Sequence, residues 1–561
     1  MNRAERKKQE KRQGAPGLGA LQPLFSQAVA HHQAGRLQQA AELYQQILTE
    51  QPKHADSLHL LGLIAYKTGH LDEAVDLISD AIEQDATKAP YCFSLGVVLQ
   101  KQGKLNEAAE VYRRAIKLNP LHGEALGNLG QVLLDRGLPE QAVTVYRQAL
   151  KATPNSADAH NNLGVALKEQ GKFAEAIVSY QEALKRNPAH AEAQNNLGVA
   201  YRDHGHLDEA IAAFTQTLAL RPGYVKAHYD RAFAHVWKGD MVRALEDFSA
   251  SAETKQNHGW PVQETTVSKA RLKHDAEQVG YLMDRGVLGP NHKGYRDMLE
   301  QLRQRAEREP ASSWRMPVSK EEVAAIAPSF NRLLHVADCP VLPNGAVNPR
   351  LDVADIETRY NRQKPEIVTV DGLLTEEALA SLRRFCLEST IWKRDYANGY
   401  LGAFLGDGLA CPLVLQIAEE LRLKFPGIFK QHKLMQAWSF KQDNARTALA
   451  MHADAAAVNV NFWLTPDEAN LDPDHGGLIV WNREAPREWN FKEYNDQRKE
   501  PEVLAWLERQ GAQAVTVPYR QNRALIFNSD LFHKSDRCRF KDGYESRRLN
   551  LTLLYGRRGD V

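Results

Sequence analysis

Two histidines and an aspartate in the last quarter of this chain are of the types that hold a metal ion. His452 and Asp454 stand two residues apart in "MHADAAAVNVNFWL", and His533 closes "RALIFNSDLFH". In extended chain, residues i and i+2 point to one face, so an imidazole and a carboxylate can converge on a single ion. Two imidazoles and one carboxylate on one side of a divalent metal leave three positions open for small ligands. The spacing alone is weak evidence, because His-x-Asp also occurs at His54/Asp56, His70/Asp72, His206/Asp208 and His228/Asp230. Those four fall in stretches of helical period, where i and i+2 diverge. His452 and Asp454 instead precede a run that alternates as a strand. His533 is expected in the turn at the end of another.

Fifteen residues beyond His533 comes "RRLNLTLLYG". As a strand it sets Arg548, Asn550, Thr552 and Leu554 on one face and Leu549, Leu551 and Leu553 on the other. An arginine facing inward in a β-sandwich needs an anion, and its fork matches a carboxylate with two parallel hydrogen bonds. Arg547 falls on the opposite face. The strand after the metal pair alternates too, with Asn459, Asn461 and Trp463 against Val458, Val460, Phe462 and Leu464. The polar set suits either a pocket wall or a solvent-facing edge.

This constellation resembles the iron(II)/2-oxoglutarate-dependent dioxygenase family over about 366–561, and the resemblance is prolyl-hydroxylase-like in the helix-rich start and the "GGLIVW" strand. It implies that His452, Asp454 and His533 bind Fe(II) and are the catalytic set. It implies that Arg548 holds the distal carboxylate of 2-oxoglutarate, with Asn459 and Asn461 as further co-substrate contacts. Dioxygen is then the oxidant, succinate and carbon dioxide the co-products, and hydroxylation the usual outcome. The aspartate argues against halogenation, for which that family replaces the carboxylate with a small residue. One departure is "AWSFKQDNAR", which puts Trp438 and Phe440 where prolyl hydroxylases carry tyrosine and glycine. That bears on the substrate more than on the metal.

The elements that must position these residues are short strand-like runs after 433, namely "LMQAWSF", "AVNVNFWL", "GGLIVW", "AQAVTVPY", "RALIFN" and "RLNLTLLY". Two amphipathic helices, "TEEALASLRRFCLEST" and "PLVLQIAEELRLKF", precede them. Thr375 is a fitting N-cap for the first. Helices followed by many short strands predict a sandwich or jelly roll with helices on one side. The stretch 482–510 interrupts the strands; Trp489 and Tyr494 on it can close over the pocket as a lid or belong to a packed loop.

The first half has a different period. Glycine recurs every 34 residues from Gly35 to Gly239, alanine five residues later, and an aromatic four beyond that in six of seven units (Tyr44, Tyr112, Tyr146, Tyr180, Phe214, Phe248, with Ile78 in the second). Each unit reads as helix, tight turn, helix, and one unit cannot bury its apolar face alone. The pattern resembles the tetratricopeptide repeat over 21–254. Asn128, Asn162 and Asn196 also recur at 34 residues. Such ladders line the groove of O-linked N-acetylglucosamine transferase, so the resemblance implies a protein or peptide partner held by side-chain amides; the alternative is that they merely follow the repeat consensus.

The fold class expected is therefore multidomain: an all-α repeat superhelix followed by a double-stranded β-helix (jelly-roll, cupin-like) domain with packed helices. The order is a disordered basic tail (1–20), seven repeats (21–254), a helical cap and linker without evident chemistry (255–365), and the oxygenase domain (366–561). Net charge is +1, giving no reason to expect nucleic acid or anionic membrane as a partner, and no apolar run spans a bilayer. Five scattered cysteines lack zinc spacing and fit a reducing cytoplasm. Three functions fit: a hydroxylase acting on a recruited protein, a scaffold whose oxygenase fold is silent or a sensor, and a small-molecule hydroxylase localised by its repeats.

Overall fold

The computed structural model describes residues 21–258, 265–310, 312–362, 364–442, 451–486, 489 and 494–557. The basic tail expected over 1–20 lies outside them. The chain forms two compact units, one ending at His206 and the other running from Leu207 to Val561.

The first unit is built of paired helices, from Leu21–Gln33 to Ala191–Asp203. The turn glycines, Gly103 for example, have φ near +76°, a region that only glycine enters without cost. The repeat aromatic packs on a second glycine, sixteen residues earlier, in the first helix of its own pair. A Cβ at Gly130 would stand 2.4 Å from the Tyr146 ring, and one at Gly164 2.6 Å from Tyr180. The close approach therefore depends on these helical glycines as much as on the repeat alanine. Tyr112, Tyr146 and Tyr180 are fully buried, each such ring contributing about 2–3 kcal/mol by removal from water.

The His-x-Asp pairs of the repeats serve local structure. His54 caps the helix Ala55–Lys67 by accepting from the Ser57 amide, while Asp56 accepts from Tyr91 Oη at 2.5 Å.

The second unit opens with the last repeat helices, Leu207–Leu220, Val225–Lys238 and Met241–Glu253. A helical hairpin, Lys269–Asp284 with Lys293–Arg308, follows; its ends are tied by β1 (Thr266–Ser268) pairing with β2 (Arg315–Pro317). The remaining strands are β3 (Ile367–Asp371), β4 (Arg394–Asp395), β5 (Tyr400–Phe404), β6 (Leu434–Gln442), β7 (Val458–Trp463), β8 (Leu478–Glu484), β9 (Ala514–Val517), β10 (Arg523–Asn528), β11 (Leu531–Ser535) and β12 (Arg548–Tyr555). They make a seven-stranded antiparallel sheet in the order β3-β10-β7-β12-β6-β5-β4 and a three-stranded sheet in the order β11-β8-β9.

Alternation along β7 and β12 divides the large sheet into two faces. Val460, Phe462, Leu549, Leu551 and Leu553 enter the main core beneath the helices Glu376–Glu388 and Pro412–Lys424. Phe233 and Phe248 of the last repeat pair belong to that same core, and Trp237 Nε1 donates to Leu434 O on β6 at 2.8 Å. The opposite face of the large sheet looks toward the small sheet, and the polar residues lie between them.

Candidate metal centre

His452 and His533 pair as an isolated antiparallel bridge, each amide donating to the other's carbonyl at 2.9 and 2.8 Å. His533 lies on β11, not in the turn expected for it. The tight turn Ser529–Asp530 separates β10 from β11, and a register shift between Leu531 and His533 against β8 re-aims the imidazole. The Asp454 amide donates to Ser529 O at 3.0 Å, so this turn fixes the carboxylate as well.

One ligand atom from each of His452, Asp454 and His533 lies within 4.8 Å of the others. His533 Nε2 is 3.5 Å from Asp454 Oδ2, and His452 Nε2 is 3.9 Å from Asp454 Oδ1. His533 Nδ1 faces Leu531 O at 2.9 Å. A carbonyl only accepts, so Nδ1 carries a proton and Nε2 is the atom that faces Asp454, where it donates when the ring is charged and offers its lone pair to a metal when it is neutral. Burial pushes the Asp454 carboxyl up, but the His533 hydrogen bond, the two imidazoles and the Asn459 amide (2.7 Å) outweigh it and hold it below the usual carboxylate range. The arrangement keeps an ionised carboxylate beside two imidazoles, which is what a divalent cation needs.

The three residues line a narrow recess between the two sheets, with about 30 Å³ of water-accessible space. Asn459, Asn461, Asn550, Thr552 and Arg548 line it too, so the polar faces predicted for β7 and β12 point into one space. Register explains this. Thr552 stands opposite Trp438 on β6 and Asn461 on β7, and Arg548 opposite Gln442.

Arg548 is buried. Its Nε donates to Gly476 O at 2.6 Å and its Nη2 to Gly477 O at 3.2 Å, and no carboxylate of the described residues pairs with it. Desolvation accordingly pulls its pKa below the usual arginine value. Arg547 faces away and pairs with Glu277 at 2.6 Å, locking the helix Lys269–Asp284 to the sheet. Four buried polar atoms of the recess, Gln442 Nε2, Asn459 Oδ1, Asn461 Oδ1 and Asn550 Oδ1, have no hydrogen-bond partner among the described residues. Buried polar groups are almost always satisfied, so such a set points to an occupant that supplies their partners.

Several contributors are not visible in the sequence. Gly476 and Gly477 present the two carbonyls to Arg548, and a Cβ at Gly477 would lie 1.9 Å from Val517 O. Asn495 clamps the metal-pair tripeptide, accepting from Ala453 N at 3.0 Å and donating to Ala453 O at 2.9 Å. Tyr400, Trp438, Phe440 and Leu478 form an apolar wall. Trp489 and Tyr494 are not among the lining residues. Tyr494 packs edge-on against Phe532, with ring centroids 5.7 Å apart, in a separate cluster behind β11. The packed-loop alternative therefore describes both of these residues.

In the first unit the asparagines sit on the first helix of each pair. Asn128 Nδ2 donates to Tyr112 Oη at 3.2 Å, and Asn196 Nδ2 to Asn161 Oδ1 at 3.0 Å. Asn161 in turn donates to Asn162 Oδ1 at 3.3 Å. The amides thus form a chain across neighbouring repeats, with Asn128, Asn162 and Asn196 half-buried.

Among the described residues no helix is long and apolar enough to cross a membrane, and all five cysteines are free.

Comparison with known proteins bears on the first half of the chain. Family models described as "Tetratricopeptide repeat" match residues 31–95 and, in overlapping segments, 93–258. No curated protein matches the chain. Solved structures similar to it include YrrB, described as a TPR protein with an unusual peptide-binding site (23% identity, 33% of this chain and 95% of that one, TM-score 0.28). MamA is another, at 28% identity over 29% of this chain and 95% of its own, TM-score 0.28. A tetratricopeptide repeat protein from Parabacteroides merdae shares 18% identity over 42% of this chain and 94% of its own, TM-score 0.36. Residues 31–258 of this chain are tetratricopeptide repeats.

Proposed function

We propose that the second unit is an iron(II)- and 2-oxoglutarate-dependent dioxygenase of double-stranded β-helix type, hydroxylating a side chain of a protein or peptide recruited by the repeats. One observation carries this reading: a compact His-Asp-His group shares a recess with a buried arginine that has no carboxylate partner. A silent scaffold has no use for a buried guanidinium held only by backbone carbonyls, which costs stability. A dicarboxylate co-substrate supplies the missing anion at one end and metal ligands at the other.

His452, Asp454 and His533 would hold iron(II) on one side. When bound with 2-oxoglutarate, the metal supplies an oxidant, made from dioxygen, that hydroxylates a nearby C–H bond. The chain's own part is positioning. Asn459 orients the Asp454 carboxylate, and the Leu531 carbonyl fixes the His533 tautomer. Arg548, set by the two glycine carbonyls, orients the co-substrate. Trp438, Phe440 and Leu478 keep water from the open side. The repeats favour a protein or peptide partner, and the inter-repeat asparagine chain offers amides to an extended backbone. Five free thiols fit a reducing cytoplasm.

The test is spectroscopic. Full-length protein receives iron(II) and then 2-oxoglutarate without oxygen, and the visible charge-transfer band of the chelate is recorded. A band that His452→Ala abolishes supports the reading. Its absence in folded wild-type protein leaves the repeats as the established part of the function.

A further inference from the structure

A second recess lies in the same unit, away from the iron recess, and it is lined by cations. Lys255, Arg271, Arg315, Lys393 and Arg394 all reach it. It encloses about 740 Å³ of space, part of it open to solvent, which is room for a ligand larger than water. None of its lining residues belongs to the His-Asp-His recess.

The charges do not balance. Asp395 pairs with Arg315 at 3.0 Å. Asp407 takes both Lys255 at 2.5 Å and Arg394 at 2.6 Å. Asp275 pairs with Arg271 at 2.6 Å. Five cations against three carboxylates leave two positive charges uncompensated.

The surplus lies at Lys393 and at Asp407, which two cations share, and Arg271 adds a donor that its ion pair leaves unsatisfied. Arg271 is 2% exposed; its Nη1 donates to Lys393 O at 3.0 Å, and its Nη2 has no partner among the described residues. The Lys393 ammonium has no acceptor among the described residues. Desolvation, with Arg271 adding to it and Asp275 opposing it, pushes Lys393 down to about 7. The start of the helix Lys269–Asp284, capped by Ser268, also opens on the recess and adds the positive end of its dipole. A desolvated cation without a partner is costly, and a recess lined by more cations than carboxylates favours an anion that enters it.

We propose that this recess binds a phosphate monoester dianion. With Lys393 protonated, which an arriving anion favours, the two surplus charges match a dianion, and a compact lysine beside an arginine fork suits a tetrahedral phosphate group. The phosphate can be carried by a small molecule or by a phosphorylated side chain; both offer the same group to Lys393 and Arg271. The inference is independent of iron and of Arg548.

The experiment uses metal-free full-length protein and titration calorimetry, with inorganic phosphate, phosphoserine, a phosphoserine peptide and acetate as probes at constant ionic strength. Saturable binding of phosphate and phosphoserine, with acetate much weaker, is expected. Preference for free phosphoserine or for the peptide tells the two sources apart. Lys393→Met, which removes a cation that has no protein partner and so leaves none orphaned, should weaken phosphate binding about tenfold or more while the protein stays folded. Lys393→Arg should restore most of it, and Arg548→Met should leave it unchanged. No saturable binding to the wild type, equal binding by Lys393→Met, or loss of binding in Arg548→Met alone would each overturn the proposal.

Discussion

Replacing Arg548 by methionine separates a co-substrate anchor from a structural arginine. In the native protein the guanidinium is desolvated and compensated only by the carbonyls of Gly476 and Gly477. An unpaired buried ion costs several kcal/mol even after relaxation. Removing it relieves that cost but strands two carbonyls, at about 1–3 kcal/mol each. These terms nearly cancel, so the variant should melt within a few degrees of wild type. The co-substrate sees no such cancellation. Two charge-assisted hydrogen bonds to its distal carboxylate are worth about 1.5–3 kcal/mol each. Losing about 3 kcal/mol lowers affinity roughly 100-fold. The assay is anaerobic titration of iron(II)-loaded full-length protein with 2-oxoglutarate, with melting recorded in parallel. Iron(II) affinity without co-substrate should not change, because Arg548 is not among the three residues proposed to hold the metal. Binding within about threefold of wild type would refute the assignment. A large drop in melting temperature together with loss of iron would make Arg548 a structural residue.

Asn495→Ala frees the Ala453 backbone and should lower iron(II) affinity about 10–100-fold with little change in fold, measurable by metal titration. Gly130→Ala drives a methyl into Tyr146 and should cost about 1–3 kcal/mol in denaturant unfolding, whereas Gly103→Ala meets no neighbour and pays only backbone strain of about 1–2 kcal/mol; equal costs would show that the ring packing is not tight. Lys393 titrates near 7 in the fold but near 10.4 when unfolded. Between those values the unfolded chain binds the extra proton, so native stability rises with pH. The penalty is full below pH 7, and Lys393→Met should be more stable there by about 2 kcal/mol, allowing for the side chain's partial exposure. That advantage should vanish as pH approaches 10, and a constant difference across the range would contradict the shift. Alanine at Asn128, Asn162 and Asn196 together should reduce capture of protein partners by the full chain relative to wild type; unchanged capture removes the asparagine chain from the binding surface.

The sequence made legible whatever repeats or alternates. The 34-residue period locates each helical pair of the repeats, because each unit solves the same packing problem. The two-residue period of β7 and β12 shows which side chains share a face, and those faces meet at one recess. Residues that act through backbone atoms stayed hidden. Gly476 and Gly477 matter for where their carbonyls point, and that depends on β9 crossing behind them. Asn495 is one amide in a polar stretch until the chain folds it against Ala453. His533 follows the turn rather than sitting in it: the turn ends at Asp530, three residues earlier, and β11 begins at once. The middle segment reads as a cap without chemistry, since Arg271, Arg315 and Lys393 lie far apart in sequence and only tertiary packing gathers them.

Phe233, Trp237 and Phe248 belong by sequence to the repeats and by packing to the core of the sheet. This has a consequence for heredity. A repeat array joined to an enzyme by a linker can be exchanged by recombination at that linker. Here a crossover between the last repeat and the strands would leave one descendant with a bare sheet face and the other with stranded aromatics. The smallest transferable segment runs from about the seventh repeat to the end of the sheet, so arrays upstream can lengthen, shorten or be replaced while that final helical pair must travel with the sheet.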